Sequence, residues 1–202
     1  MKAVLVGLHG YSSHCSRPTQ TYVSSKIAGN GIGYACLDFH GHGYSDGLKG
    51  LVNSAEGLID DVQCLLIALY SKILLEFHGE ETDSVKRFHL NNYAMNVPLF
   101  ILGQSMGGST SLMVGDALQK SLENPNADQQ LRPVAANFCG CIMLCPALQM
   151  KVPSPMVVNI LNYVIVPLFG QASIPEFIQP SNANQSQIWK NQAFIDYVEK
   201  DG

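Results

Sequence analysis

The segment that most constrains this chain is Gly103-Gln104-Ser105-Met106-Gly107, set between the apolar run PLFIL and the helix-forming run GSTSLMVGDAL. A serine hydroxyl is a weak nucleophile until it is sharply presented and paired with a base. A tight strand-to-helix turn lifts Ser105 above the end of a sheet in a strained backbone conformation. Gly103 and Gly107 remove the Cβ atoms that would collide as the helix folds back on its strand, and Gly108 adds clearance. The five-residue pattern alone occurs by chance in many proteins; the strand-turn-helix context gives it meaning.

The rest of the chain has the rhythm of a parallel α/β sheet, short apolar runs alternating with longer helical patterns. Residues 3–8, 33–39, 99–102 and 139–145 read as strands, and residues 19–28 and 105–122 as helices. Asn53, with Glu56 three residues on, predicts a capped helix start. Behind it Leu58, Val62, Leu65, Leu66, Leu69, Ile73 and Phe77 recur at helical spacing. Residues 78–96 and 123–137 are polar and read as loops. After Pro146 the prolines at 153, 155, 167 and 175 interrupt apolar stretches, which places a boundary there: a core over residues 1–146 and a second subdomain over 147–202. With 47% apolar and 14% charged residues, the chain can build a core and is not a disordered composition.

Several function classes are excluded or disfavoured. A net charge of -4 without a Lys/Arg cluster argues against nucleic-acid binding. Residues 1–8 lack the apolar length and cleavage site of a signal peptide. The longest apolar stretch, residues 156–169, is broken by Asn159 and Asn162 and is too short to span a bilayer. A soluble, cytoplasmic chain is expected, with transient contact at a membrane surface as a further expectation. The six cysteines contain no Cys-x-x-Cys pair for a metal. Cys139, Cys141 and Cys145 would share one strand face, poorly placed to bridge. Buried, reduced thiols and a reducing compartment are expected, with no metal.

An acyl-transfer enzyme also needs two backbone N–H groups aimed at a developing oxyanion. In the fold that uses such an elbow, they come from the residue after the nucleophile and from a loop after a preceding strand. With His9-Gly10-Tyr11 closing the first strand, that assigns Met106 and Tyr11. Three blocks, LHGYSSH, LDFHGHGYSDG and ILGQSMGGST, in this order, resemble the monoacylglycerol lipase and lysophospholipase group of α/β hydrolases, whose domain is often labelled serine aminopeptidase-like. The middle block, residues 38–47, is the most specific, because Gly-His-Gly-x-Ser at this place is a habit of the group. The resemblance covers residues 3–150, and more loosely the segment to 202. It implies a partial α/β-hydrolase fold, with a central parallel sheet, flanking helices and the start of a helical lid over an acyl pocket. It further implies lipid ester substrates, no cofactor, and structural roles for His40 and His42. His9 shapes the oxyanion loop in this reading.

The chain departs from that pattern downstream. The triad in this fold runs Ser, then Asp or Glu, then His, yet all six histidines (9, 14, 40, 42, 78 and 89) precede Ser105. Asp116, Asp128, Asp196 and Asp201 follow it, none in the place of a catalytic acid after a strand. The expectation is a fragment, missing strands at both ends, of a hydrolase that cleaves monoacylglycerol or lysophospholipid esters through an acyl-serine intermediate. The chain alone would be inactive. The alternative is a short paralogue that binds lipids or partners without turnover. A peptidase is a weaker reading, as is an epoxide hydrolase, which would place a carboxylate where Ser105 stands. Apolar strands at both sheet edges predict poor solubility. Val157, Ile160, Leu161, Val164, Ile165, Leu168 and Phe169 predict either a lipid-facing lid or ordinary core packing.

Overall fold

A computed structural model describes residues 1–78, 97–124, 126, 128–148, 154–160 and 163. The chain divides into two compact units, Met1–Lys151 and Val152–Gly202. The first holds β1 (Val4–Leu8), α1 (Pro18–Gly29), β2 (Gly33–Leu37), α2 (Ala55–His78), β3 (Leu99–Gln104), α3 (Met106–Glu123), α4 (Leu131–Asn137) and β4 (Phe138–Leu144). In the second, the short helix α5 (Pro155–Ile160) is described. Most of the expected lid surface lies outside the described residues.

The four strands form one parallel sheet in the order β2-β1-β3-β4, the order expected from the sequence. Val4 pairs with Gly33 on one side and Leu99 on the other, and Leu8 pairs with Leu37 and Gly103. This register brings the C-terminal ends of β1 and β3 level, so the turn after β3 meets the loop after β1. Val4, Val6, Leu8, Leu99 and Ile101 form one buried cluster with Val62 and Leu66 of α2 and Val114 and Leu118 of α3. Each such side chain contributes about 1.5–3 kcal/mol relative to exposure, which makes the central strand pair and its two helices the stable part of the unit. No helix among the described residues is long and apolar enough to cross a membrane.

Four expectations are corrected. Residues 131–137, expected as loop, are the helix α4. Its Leu131, Val134 and Ala135 recur at i, i+3 and i+4 and are all buried, a short apolar face that the polar residues before it conceal. The helix cap is Ser54, not Asn53: its hydroxyl accepts the Gly57 N–H at 3.0 Å, so the turn begins one residue later and Glu56 loses its capping-box position. Helix α2 continues to His78, where a loop was expected to begin; residues 79–96 lie outside the described residues. The thiols are not buried as a group: Cys64, Cys139 and Cys145 are exposed and the other three are half-buried. A bulge explains Cys139. Leu99 faces Phe138 while Phe100 faces Gly140, so Cys139 is an inserted residue and the alternation that would align it with Cys141 is broken. Cys145 lies past the end of β4, at φ 46°.

Candidate active site

Ser105 stands between the last residue of β3 and the first of α3, at φ 50° and ψ -113°. A side chain in the left-handed region costs on the order of 1–3 kcal/mol and persists only where its surroundings over-determine it. They do so here. The Ser105 N–H donates to the Leu144 carbonyl at 3.0 Å, and the Ser105 carbonyl accepts from Gly108 at 3.0 Å, Ser109 at 3.2 Å and Ala147 at 3.1 Å. The turn is therefore tied to the end of β4 as well as to its own helix. Both flanking glycines are sterically required. A Cβ on Gly103 would lie 2.2 Å from the Gly107 carbonyl oxygen, and one on Gly107 would lie 2.3 Å from that of Leu8.

The loop after β1 reaches the same point. A Cβ on Gly10 would stand 3.3 Å from the Ser105 Cβ and 3.9 Å from its Oγ, so the backbone of this loop runs beside the serine. His9, 1% exposed, anchors it. Its Nε2 accepts the Phe39 N–H at 3.1 Å, which puts the ring proton on Nδ1, where it donates to the Gly10 carbonyl at 2.7 Å. Burial holds the imidazole below its ordinary value, and the contact with Gly10 only partly opposes this. The His9 ring lies edge-on to Phe39, with centroids 5.0 Å apart. Both nitrogens of a neutral His9 are thus committed to backbone groups, and proton transfer to Ser105 is not its role.

Tyr11 follows Gly10 directly. Its hydroxyl donates to the Gly50 carbonyl at 2.9 Å, and its ring meets His42 edge-on at 5.5 Å. Met106 opens α3, where the first N–H groups have no partner within the helix. Among the described residues, neither the Tyr11 N–H nor the Met106 N–H donates to a carbonyl, and no side chain hydrogen-bonds the Ser105 hydroxyl.

Asp38 is the organiser that sequence reasoning passed over. Its carboxylate accepts the Cys15 N–H at 2.7 Å and the Tyr44 N–H at 2.9 Å, and the Ser45 hydroxyl donates to its carbonyl at 2.6 Å. Burial pushes this carboxyl up, but the Cys15 and Tyr44 N–H groups outweigh it and hold the group below its ordinary value. Gly43, at φ 51°, makes room: a Cβ there would overlap the carboxylate at 2.1 Å. The signal was present as an acid preceding a loop whose glycines permit backbone N–H groups to turn inward. His42 Nδ1 donates to the His40 carbonyl at 3.1 Å, and the His40 N–H donates to Asp61 at 3.0 Å, which ties this loop to α2. Among the described residues, no group of three or more His, Cys, Asp or Glu could hold a metal ion.

No curated protein sequence matches the chain. Solved structures similar to it include a monoacylglycerol lipase from Paleococcus ferrophilus, at 22% identity over 80% of this chain and 47% of that one, with a TM-score of 0.46. A soluble variant of monoglyceride lipase from Saccharomyces cerevisiae is 16% identical over 87% of this chain and 47% of that one, with a TM-score of 0.49. A carboxyl esterase from Bacillus coagulans is 17% identical over 80% and 40%, with a TM-score of 0.44. The chain spans about half the length of these structures or less. The family model described as Serine aminopeptidase, S33 (Hydrolase_4) matches residues 1–202. The chain, with its parallel sheet and elbow-borne serine, belongs to this hydrolase family of α/β-hydrolase fold.

Proposed function

We propose that the whole protein is a serine esterase acting on lipid esters of the monoacylglycerol or lysophospholipid type, with Ser105 as nucleophile. The observation that carries the reading is the Ser105 backbone, held at φ 50° by hydrogen bonds to Leu144 at the end of β4, to Ala147 and to its own helix, and flanked by glycines that tolerate no Cβ. Strain of this kind clusters at functional sites. In the proposed reaction the Ser105 Oγ attacks the ester carbonyl and its proton passes to a base. The tetrahedral oxyanion is met by the Tyr11 and Met106 N–H groups, and the alcohol leaves with a proton returned by that base. Water then repeats the sequence on the acyl-serine and releases the acid. Residues 147–202 would begin the lid, with α5 in it, and Ile160 and Val164 would meet the lipid surface.

The lipid class rests on the resemblance of the three glycine-rich blocks to the lipase group.

The base is the missing partner. No histidine follows Ser105 in these 202 residues, and the upstream His9 is committed elsewhere. A general base contributes about a hundred- to ten-thousand-fold in rate, so residues 1–202 alone should turn over a monoacylglycerol or p-nitrophenyl ester far below ordinary enzyme rates. The same observation favours a second reading, a paralogue that binds acyl chains without turnover. A fluorophosphonate probe separates them. Applied to a form of the chain extended through an acid and a histidine, it should label the protein and fail on Ser105→Ala. Equal labelling of both would reject Ser105. Binding of a fatty acid with no labelling of any form would favour the second reading.

A further inference from the structure

The loop after β1 crosses to residues 38–50 at three points. At its start the His9 ring accepts the Phe39 N–H, and at its far end the Cys15 N–H donates to Asp38. Between them the Tyr11 hydroxyl donates to the Gly50 carbonyl at 2.9 Å, joining residues 39 apart in the chain. The acceptor is itself fixed: the Gly50 N–H donates to the Gly41 carbonyl at 2.8 Å, and the Gly41 N–H to that of Asp46 at 2.7 Å. A Cβ on Gly50 would stand 3.2 Å from the Tyr11 hydroxyl, so the phenol lies over bare backbone. The ring is braced edge-on by His42, whose Nδ1 donates to the His40 carbonyl. Tyr11 is nevertheless 58% exposed, so burial is not what holds this side chain in place.

We propose that the Tyr11 hydroxyl is a positioning group: anchored on Gly50, it fixes the backbone of its own residue and so aims the Tyr11 N–H at the oxyanion. This role rests on the esterase reading above and on the Tyr11 N–H as an oxyanion donor. Such donors act by being held in place before charge develops, and the turn that carries this one needs holding. It is closed by the Ser13 N–H on the Gly10 carbonyl at 3.2 Å, with Tyr11 and Ser12 as its central residues. Ser12 stands at φ 54°, a conformation that glycine adopts freely and that serine keeps only where its surroundings enforce it. The backbone ties at His9 and Cys15 lie outside this turn. The Tyr11 side chain is the tie within it to residues 38–50, and it reaches the same glycine-rich loop that the other two grip.

Tyr11→Phe tests this, because it deletes the hydroxyl and leaves the ring on His42. In residues 1–202, hydrogen–deuterium exchange read by mass spectrometry should quicken in the peptide covering residues 9–17, where the Ser13 and Cys15 N–H groups are hydrogen-bonded. Peptides from β3 and α3 should not change. In the whole protein, kcat on a p-nitrophenyl ester should fall about two- to ten-fold, the worth of one hydrogen bond, with KM unchanged. Tyr22→Phe, on α1 and 64% exposed, should alter neither measurement. Unchanged exchange in Tyr11→Phe would overturn the proposal, as would faster exchange with kcat intact or a loss confined to KM. Whole protein without Ser105-dependent turnover would overturn the esterase reading and this role with it. Normal turnover that Tyr11→Phe leaves untouched would overturn this role alone.

Discussion

The centre and the β4 flank of the sheet are written in nearly the same alphabet and end in different environments. In β1 and β3, Val6, Leu8, Leu99 and Ile101 are fully enclosed. In β4, Ile142 is 48% exposed, Met143 40% and Leu144 50%. Composition does not distinguish the two; neighbours do. The central pair has a strand on each side and α2 and α3 in its cluster, whereas β4, among the described residues, pairs only with β3 and carries a bulge at its start. An apolar strand states a capacity for burial, and the topology decides how much of it is used.

The hardest break of the comparison is at the centre's edge with the elbow. Gly107→Ala drives a Cβ against the carbonyl oxygens of both Leu8 and His9, at 2.3 and 2.6 Å, and backbone cannot yield as a side-chain tip does. The expected cost exceeds about 4 kcal/mol, in the exceptional range for one substitution, read as loss of soluble folded protein or of a cooperative urea transition. Next comes a matched pair. Ile101→Ala should cost about 2–5 kcal/mol by urea unfolding, because it leaves a cavity in a closed core. Ile142→Ala, the same chemistry on β4, should stay within about 1 kcal/mol, since half of that side chain already meets solvent. Equal costs for the two would end the distinction between centre and flank.

The smallest effect is a pH dependence seated at the junction of β1 and the elbow. His9 titrates below its ordinary value of 6.5 in the folded chain, so the unfolded chain binds the proton more readily. Its contribution is fully present above about pH 6.5 and is lost as the pH falls below that value toward the folded one. The melting temperature should therefore drop between about pH 7.5 and 5, and His9→Gln should flatten that part of the profile. An unchanged slope in the variant would assign the acid sensitivity elsewhere.

Much of the core was legible because it follows from period and punctuation. The four apolar runs, their order and the turn at Ser105 could be read from residues 3–8, 33–39, 99–102 and 139–145 together with the glycines between them. Boundaries slipped where two residues of similar chemistry compete, as Asn53 and Ser54 do for the cap. Helix α4 was hidden because its seven residues hold only one apolar turn. The site was half legible. Gly103, Ser105 and Gly107 announce themselves, but the role of Asp38 depends on N–H groups from Cys15 and Tyr44 that only the folded loops bring to it. The exposure of Cys139 could not be foreseen either, since a bulge is a fact about two strands and neither sequence states it alone.

The ties on Ser105 also set a time at which its geometry can exist. The strained turn is closed on one side by residues 8 and 9 and on the other by the Leu144 carbonyl and the Ala147 N–H. Non-local contacts of this sort form only after the loops between them have closed. As the chain leaves the ribosome, β3 and the start of α3 emerge well before Ala147. Until that residue is free to dock, nothing downstream holds Ser105 at positive φ, and the turn can relax to an ordinary helical start. The posture of Ser105 is thus a late acquisition of synthesis, and a nascent chain stalled before residue 144 would carry the serine without its strained turn.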